Sequence, residues 1–211
     1  MKTMVVNRYV VLVASLLLAL GARSVLAESN AAQAADPRVV VENVTQELFV
    51  HVRAQKAQKA SDDVYYKQVQ TTLDEVVNFG YIAAHVMGKQ AYDKASTDQR
   101  KQFLDVFRNG LVKSYAKGIA GYVDSDIKVV NVAADKKNPQ RVTVTQEVND
   151  KGTVHKLDYS MVQSRSGDWK LINVTLNGVN LGMSFSSQFK SAMRKYNNDL
   201  DKVIANWLSE A

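Results

Sequence analysis

Apolar residues recur at every third or fourth position over the first half of the chain, which is the spacing of one helical face. One helix is predicted to start at Asp36-Pro37 and a second at Ser61-Asp62-Asp63, because these residues suit a first helical turn. A short helix over residues 81–87 is predicted to stop at Gly88, and a long one starts at the capping-box sequence Ser96-Thr97-Asp98-Gln99. The apolar stripes are Val40, Val44, Leu48 and Val52 in the first helix, Tyr65, Val69, Leu73, Val76 and Val77 in the second, and Phe103, Phe107, Leu111, Tyr115 and Ile119 in the long one.

From residue 127 onwards apolar residues alternate with polar ones, which is the period of a half-buried strand. The predicted strands are residues 127–132, 141–148, 156–161 and 169–176, the last three being separated by turns at 149–152 and 164–168. Two further helical segments follow, at residues 183–195 and from residue 199 onwards. Consecutive strands between two groups of helices predict the α+β class, with an antiparallel four-stranded meander and helices packed on one face.

The N-terminus has the three-part pattern of a secretory signal peptide. Lys2 and Arg8 precede an uncharged apolar run over residues 9–20, which is shorter than the roughly 20 residues that span a bilayer. Cleavage is expected after Ala27, where small or modest residues precede the bond. We therefore expect a signal peptide over residues 1–27, a flexible lead-in over 28–35 and a single domain over 36–211 of an exported protein.

Removal of the predicted signal peptide changes the formal net charge. The full sequence has 27 basic and 21 acidic residues and a formal charge of +6. Removing Lys2, Arg8 and Arg23 leaves +3, which is an ordinary balance for a protein surface. Nucleic-acid binding is therefore not expected.

The sequence offers no familiar catalytic or metal-binding motif. It has no Cys, which excludes a disulfide, a thiolate zinc site and a cysteine nucleophile. His51, His85 and His155 are far apart and have no metal-ligand spacing, and Asp62-Asp63 is interpreted as a helix cap. We expect no catalytic residue, no metal and no cofactor.

Bulky apolar side chains are the feature that remains. They include Phe103, Phe107, Tyr115, Tyr159, Met161, Phe185 and Phe189. Such residues either fill an ordinary core or form the walls of an apolar cavity between a sheet and its helices. Periodicity alone does not separate these two interpretations.

An ordered set of short segments resembles a known family. The set comprises Asn78-Phe79, Ile82-Ala83, Val86-Met87-Gly88 and Tyr92, then residues 95–100 with Phe103, Phe107, Leu111 and Ser114-Tyr115-Ala116, and finally residues 167–174, 178–181 and Gln188-Phe189. It resembles the MlaC, or toluene-tolerance auxiliary, family of periplasmic phospholipid-transfer proteins and covers most of residues 36–208. The sequence departs from the family pattern at Asn78, where Asp is usual, at Tyr92, where Trp is common, and at Phe185-Ser186, which replaces a Tyr-Arg pair.

The resemblance implies an NTF2-like curved sheet and an apolar pocket for acyl chains. It implies a non-enzymatic periplasmic shuttle that carries phospholipid cargo between the outer and inner membranes and maintains outer-membrane lipid asymmetry. The implied partners are phospholipids, an inner-membrane ABC transporter complex and an outer-membrane lipoprotein–porin complex. A monomer is expected.

We hypothesise that residues from helices and strands face the lipid tails across this pocket. The predicted lipid-binding residues are Ile82, Val86, Phe103, Phe107, Leu111, Tyr115, Val142, Val144, Tyr159, Met161, Ile172, Val174, Val179, Leu181 and Phe185. Filling the pocket, for example with Val144→Trp, is expected to abolish lipid binding and to leave the fold intact.

Two other functions stay open at this point. A cavity enzyme of NTF2-like fold would need an inward-facing polar group, for which Asp158 and His155 are the candidates. A periplasmic chaperone or adaptor would instead present an exposed apolar groove to protein partners.

Overall fold

The computed structural model describes residues 36–58 and 61–207. The predicted signal peptide and lead-in lie outside these residues. The elements are α1 (Pro37–Gln58), α2 (Asp62–Val76), α3 (Phe79–Lys94), α4 (Thr97–Ile119), β1 (Asp126–Ala134), β2 (Arg141–Asp150), β3 (Thr153–Gln163), β4 (Trp169–Leu176), β5 (Val179–Asn180), α5 (Leu181–Lys195) and α6 (Leu200–Ala205). This order confirms the predicted α+β class.

The strands form one antiparallel sheet in the order β1-β2-β3-β4-β5. The prediction of four strands was wrong, because β5 has only two residues and so leaves no alternation to detect. A local signal does precede it: Asn177 and Gly178 both have positive φ, 48° and 83°, and connect β4 to β5. Asn-Gly is a preferred pair for such tight hairpins. Lys151 and Gly152 make the corresponding turn between β2 and β3.

Two β-bulges interrupt the sheet. Val130 is the extra residue in β1, and Ile172 is the extra residue in β4. A bulge bends its strand and shifts the alternation of side chains beyond it. In β4, Leu171 is consequently paired with Met161 and Val174 with Tyr159, so the residues that share a face are three positions apart. The α+β architecture is thus established, whereas the NTF2-like description stays a prediction.

Most helix boundaries lie within about two residues of those that the sequence predicts, with one larger exception. Ser96 accepts a hydrogen bond from the backbone of Gln99, and the Gln99 side chain returns one to the Ser96 backbone, as the capping box predicts. The exception is α3, which was predicted to stop at Gly88. Gly88 adopts φ 73° and ψ 158°, and the chain resumes the helix after this kink and continues to Lys94.

Helices pack against one face of the sheet. Val41 of α1 and Val76 of α2 lie in one buried cluster with Val142, Val144 and Met161 of the strands. The opposite face carries polar pairs such as Thr145, whose hydroxyl donates to the Asp158 carboxylate at 2.6 Å. Of the helices, α1, α2, α3 and α5 contact the strands, whereas α4 and α6 pack mainly against other helices.

The capping box of α4 yields a direct test. Ser96→Ala removes a side-chain acceptor from a backbone N–H group, and we expect it to lower the free energy of unfolding by about 1 kcal/mol. Denaturant unfolding measures this change. Ser61→Ala is the matched control, because Ser61 occupies the N-cap of α2 without a side-chain capping bond. Equal losses for the two variants would contradict this account.

Candidate functional site

An apolar cavity of about 270 Å³ lies between the sheet and the helices. Its walls come from α1, α2, α3, α4 and α5, and its floor comes from β3 and β4. The residues that line it are Val41, Val44, Thr45, Leu73, Val76, Val77, Phe79, Ile82, Leu111, Tyr115, Leu157, Tyr159, Met161, Leu171, Asn173, Val174, Leu176, Leu181, Gly182 and Phe185. With so few polar members, the cavity suits an apolar ligand.

The floor follows from strand pairing. Leu157, Tyr159 and Met161 alternate along β3 and therefore share one face. Val174 lies opposite Tyr159, and Leu171 lies opposite Met161 because of the bulge at Ile172. The pairing thus brings apolar residues of β3 and β4 together as a continuous surface.

The start of α5 is held against β4 by one side chain. The Asn173 amide oxygen accepts a hydrogen bond from the backbone N–H of Gly182 at 3.1 Å. A Cβ on Gly182 would lie 2.6 Å from that oxygen, so glycine allows the close approach. Leu181 and Phe185, one helical turn apart, line the cavity from this position.

One wall contains a chain of polar contacts. The Tyr159 hydroxyl donates to Oε1 of Gln146 at 2.9 Å, and Nε2 of Gln146 donates to the Thr45 hydroxyl at 3.1 Å. Thr45 in turn donates to the Val41 carbonyl at 2.8 Å. Gln146 is only 3% exposed, and both ends of its amide are hydrogen-bonded. The buried polar groups are therefore satisfied, as an apolar surrounding requires.

Two tyrosines that line the cavity have raised pKa values, because burial disfavours the ionised phenol. Burial raises the pKa of Tyr115 to about 12, with a smaller contribution from Tyr65. Burial also raises the pKa of Tyr159, with a smaller contribution from Tyr115. Tyr115 leaves 39% of its surface uncovered, and we attribute its raised pKa to the apolar cavity that this surface faces.

The structure brings eight of the fifteen predicted lipid-binding residues to the cavity. They are Ile82, Leu111, Tyr115, Tyr159, Met161, Val174, Leu181 and Phe185. Their role in lipid binding stays a prediction. The seven others lie elsewhere: Val86, Phe103, Phe107, Val142, Val144, Ile172 and Val179.

The three helical residues of this second group belong to a buried cluster beside the cavity. Val86, Phe103 and Phe107 are buried in a cluster with Phe189 and Trp207. The Phe103 ring lies edge-on to those of Phe189 and Trp207, with centroid distances of 5.2 and 5.3 Å. The stripe on α4 thus has several roles: Phe103 and Phe107 pack against other helices, Leu111 and Tyr115 reach the cavity, and Ile119 is buried in a further core cluster.

The strand residues of the second group lie outside the cavity lining for different reasons. Val142 and Val144 share a face with the floor, but they pack beneath Val41. Ile172 is the extra residue of the bulge, and Val179 on the edge strand is 56% exposed. Because Val144 is fully buried, Val144→Trp would overpack the core.

Twelve lining residues were not predicted. They are Val41, Val44, Thr45, Leu73, Val76, Val77, Phe79, Leu157, Leu171, Asn173, Leu176 and Gly182. Leu157 could have been found from its alternation with Tyr159, and the stripes of α1 and α2 contain several others. Asn173 and Gly182 carry no such signal, because their position depends on a contact between two elements.

The polar groups considered for catalysis lie outside the cavity lining. Asp158 accepts a hydrogen bond from Thr145 on the opposite face of the sheet, and the His155 ring contacts Tyr122. Among residues 36–58 and 61–207, no group of three His, Asp or Glu is arranged to hold a metal ion. In the same part of the chain, no helix is long and apolar enough to cross a bilayer.

The raised pKa of Tyr115 predicts a dependence of stability on pH. The phenol ionises near pH 10 in the unfolded chain but near 12 in the folded protein, so the unfolded state loses its proton first. Its contribution to the free energy of unfolding is therefore complete below pH 10 and declines as the pH rises towards 12. We expect Tyr115→Phe to remove this part of the decline, measured by denaturant unfolding across that range.

A titration of tyrosinate absorbance provides the control for this prediction. The spectrum of the Tyr115→Phe variant should lack a tyrosine that ionises near pH 12. If the variant instead lacks a tyrosine that ionises near pH 10, Tyr115 is in contact with bulk water.

Three comparisons relate the chain to known proteins. The family model described as MlaC protein matches residues 42–209. The chain is 32% identical over 176 residues to the toluene tolerance protein ttg2D of Pseudomonas putida, covering 82% of this chain and 80% of that protein. Its fold is similar to that of a phospholipid-binding protein from Ralstonia solanacearum solved with a phospholipid, with a TM-score of 0.72 and 20% identity over 83% of this chain and 96% of that one. The family match and the identity to ttg2D confirm the resemblance seen in the sequence: the chain belongs to the MlaC family.

Proposed function

We propose that this protein is a phospholipid-binding shuttle that holds acyl chains in the apolar cavity and performs no covalent chemistry. The observation that carries the proposal is the cavity itself, enclosed by apolar residues from five helices and two strands. Membership of the MlaC family and the likeness in fold to a phospholipid-bound protein support it. No residue is assigned a catalytic role, and phospholipid is cargo rather than a cofactor.

The physical need for such a carrier follows from the cost of exposing lipid to water. Each methylene brought into water costs about 0.8 kcal/mol, and a diacyl lipid has on the order of 30 of them. Unaided passage through an aqueous compartment would therefore cost roughly 20 kcal/mol or more. A protein cavity replaces the bilayer as the surrounding of the chains and avoids most of this cost.

The cavity size bears on how a lipid is held. At about 270 Å³ it lies just below the roughly 300–1,000 Å³ that is typical of small-molecule pockets. A diacyl lipid needs more room than this, so the proposal includes a widening of the walls on loading. The headgroup then stays at the opening in water, since a phosphate would be costly to bury.

The place of action is also part of the proposal. Residues 1–27 have the pattern of a signal peptide, which would direct the protein to the periplasm. There it would carry phospholipid between the outer and inner membranes and maintain outer-membrane lipid asymmetry. Its partners would be an inner-membrane ABC transporter complex and an outer-membrane lipoprotein–porin complex, which it would meet as a monomer.

Extraction of the purified protein tests the proposal. We expect organic extraction followed by mass spectrometry to release phospholipid in stoichiometric amounts, because the apolar cavity retains acyl chains during purification. A protein free of phospholipid that also takes up none from vesicles would contradict the proposal and favour a cavity enzyme or a chaperone.

A blocked cavity tests where the lipid binds. Val174→Trp places an indole on the cavity floor, so we expect co-purified phospholipid to fall at least tenfold. Val179→Trp is the matched control on the neighbouring strand, where the side chain is 56% exposed and lines no part of the cavity. Circular dichroism verifies that both variants fold. Equal lipid contents in the two would place the acyl chains elsewhere.

A further inference from the structure

A polar cleft adjoins the apolar cavity on the side of α1. Its lining includes Glu42 and Thr45 of α1, Asp126 and Lys128 of β1, and Gln146 of β2. Thr45 lines both the cleft and the cavity, and Gln146 of the cleft is hydrogen-bonded to Tyr159 of the cavity. The two spaces therefore meet at these three side chains.

The contact between the spaces is closed by a partition, which we define as Thr45, Gln146 and Tyr159. Its hydrogen bonds run from Tyr159 to Gln146 at 2.9 Å and from Gln146 to Thr45 at 3.1 Å. Because both amide ends are engaged, the Gln146 side chain has one orientation and little freedom to swing aside. Gln146 lies on β2 and Thr45 on α1, so the partition also joins a strand to a helix.

The cleft is a poor site for a lipid phosphate. Glu42 and Asp126 contribute carboxylates to it. Each carboxylate is paired with a cation: the Lys128 ammonium lies 2.6 Å from Asp126, and the Arg38 guanidinium lies 3.8 Å from Glu42. An anionic headgroup would have to compete with these carboxylates for the two cations, so the partition does not separate tails from their headgroup site. It is instead a wall that an apolar chain meets at this end of the cavity.

We propose that the side chain of Gln146, held between Thr45 and Tyr159, closes the cavity towards the cleft and thereby limits the length of acyl chain that the protein accepts. This inference rests on the proposed function. Beyond the partition, the end of an acyl chain would enter a polar, charged cleft. A further methylene would stay in contact with water there, so it would add no affinity. Gln146 is thus a specificity-determining residue.

The limit can be measured with defined lipids. The delipidated protein is titrated with phosphatidylcholines that carry two identical saturated chains of increasing length, each kept below the concentration at which it aggregates, in competition with a fluorescent acyl probe. Each methylene that leaves water strengthens binding about fourfold, so affinity should rise with chain length until the partition is reached and then level off. Gln146→Ala removes the side chain that closes the wall, and we expect the plateau to move to longer chains.

Gln146→Met is the matched control, because methionine has nearly the same length as glutamine and still fills the opening. We expect the methionine variant to keep the original plateau. Should the alanine variant not fold, Gln146→Val shortens the same side chain and suits a strand position. The expected shift is then read from the valine variant.

The outcomes separate this inference from the function on which it rests. An unchanged plateau in a folded alanine or valine variant that still binds lipid would overturn the role of Gln146 and leave lipid binding intact. A wild-type protein that binds no phosphatidylcholine of any length would overturn the proposed function as well. If the plateau moved equally far in the Gln146→Met and Gln146→Ala variants, the steric role of Gln146 would also be overturned.

Discussion

The cavity depends on the aromatic cluster beside it. Phe103 and Phe107 of α4 pack with Phe189 of α5 and with Trp207, and the ring pairs adopt edge-on or tilted geometries that favour close packing. An unfilled space in a protein interior is unfavourable, and neighbouring side chains tend to collapse into it. The Phe107 ring lies edge-on to Phe185 at 5.6 Å, so the cluster fixes the position of two cavity-lining residues, Leu111 and Phe185, that pack against it.

The partition places polar groups in an apolar wall, where each of them needs a hydrogen-bond partner. A buried glutamine without partners would cost several times what its hydrogen bonds contribute, so its position is acceptable only when both amide ends are bonded. Tyr159 and Thr45 meet that requirement. The same contacts make the partition rigid, because moving any one member exposes the others to an environment without water.

Much of the fold could be predicted from local patterns. The capping box at Ser96, the strand at residues 169–176 and the two turn segments were all found, since each depends on neighbouring residues. The break at Gly88 was recognised but misread as an end, because a glycine with positive φ can bend a helix as well as stop it. Asn78 shows that a departure from a family pattern can preserve its chemistry: its side chain caps α3, as an aspartate would.

The site was harder to predict because it depends on contacts between elements. Phe103 and Leu111 belong to one stripe of one helix, yet only Leu111 reaches the cavity. The bulge at Ile172 reverses which residues of β4 face inward, and no alternating pattern reveals it. Asn173 and Gln146 matter through partners on other elements, at separations that a single sequence does not disclose.

The short strand β5 bears on how readily the sheet edge could pair with other chains. An open sheet edge offers unpaired backbone groups to other chains and invites aggregation. Here β5 covers Thr175 and Leu176 at one end of β4, and Val77 forms an isolated bridge with Leu171 further along, so part of this edge is paired. At the other side β1 carries a bulge and the charged Lys128, both of which discourage strand addition. Both edges of the sheet are therefore partly protected against the addition of a strand from another chain.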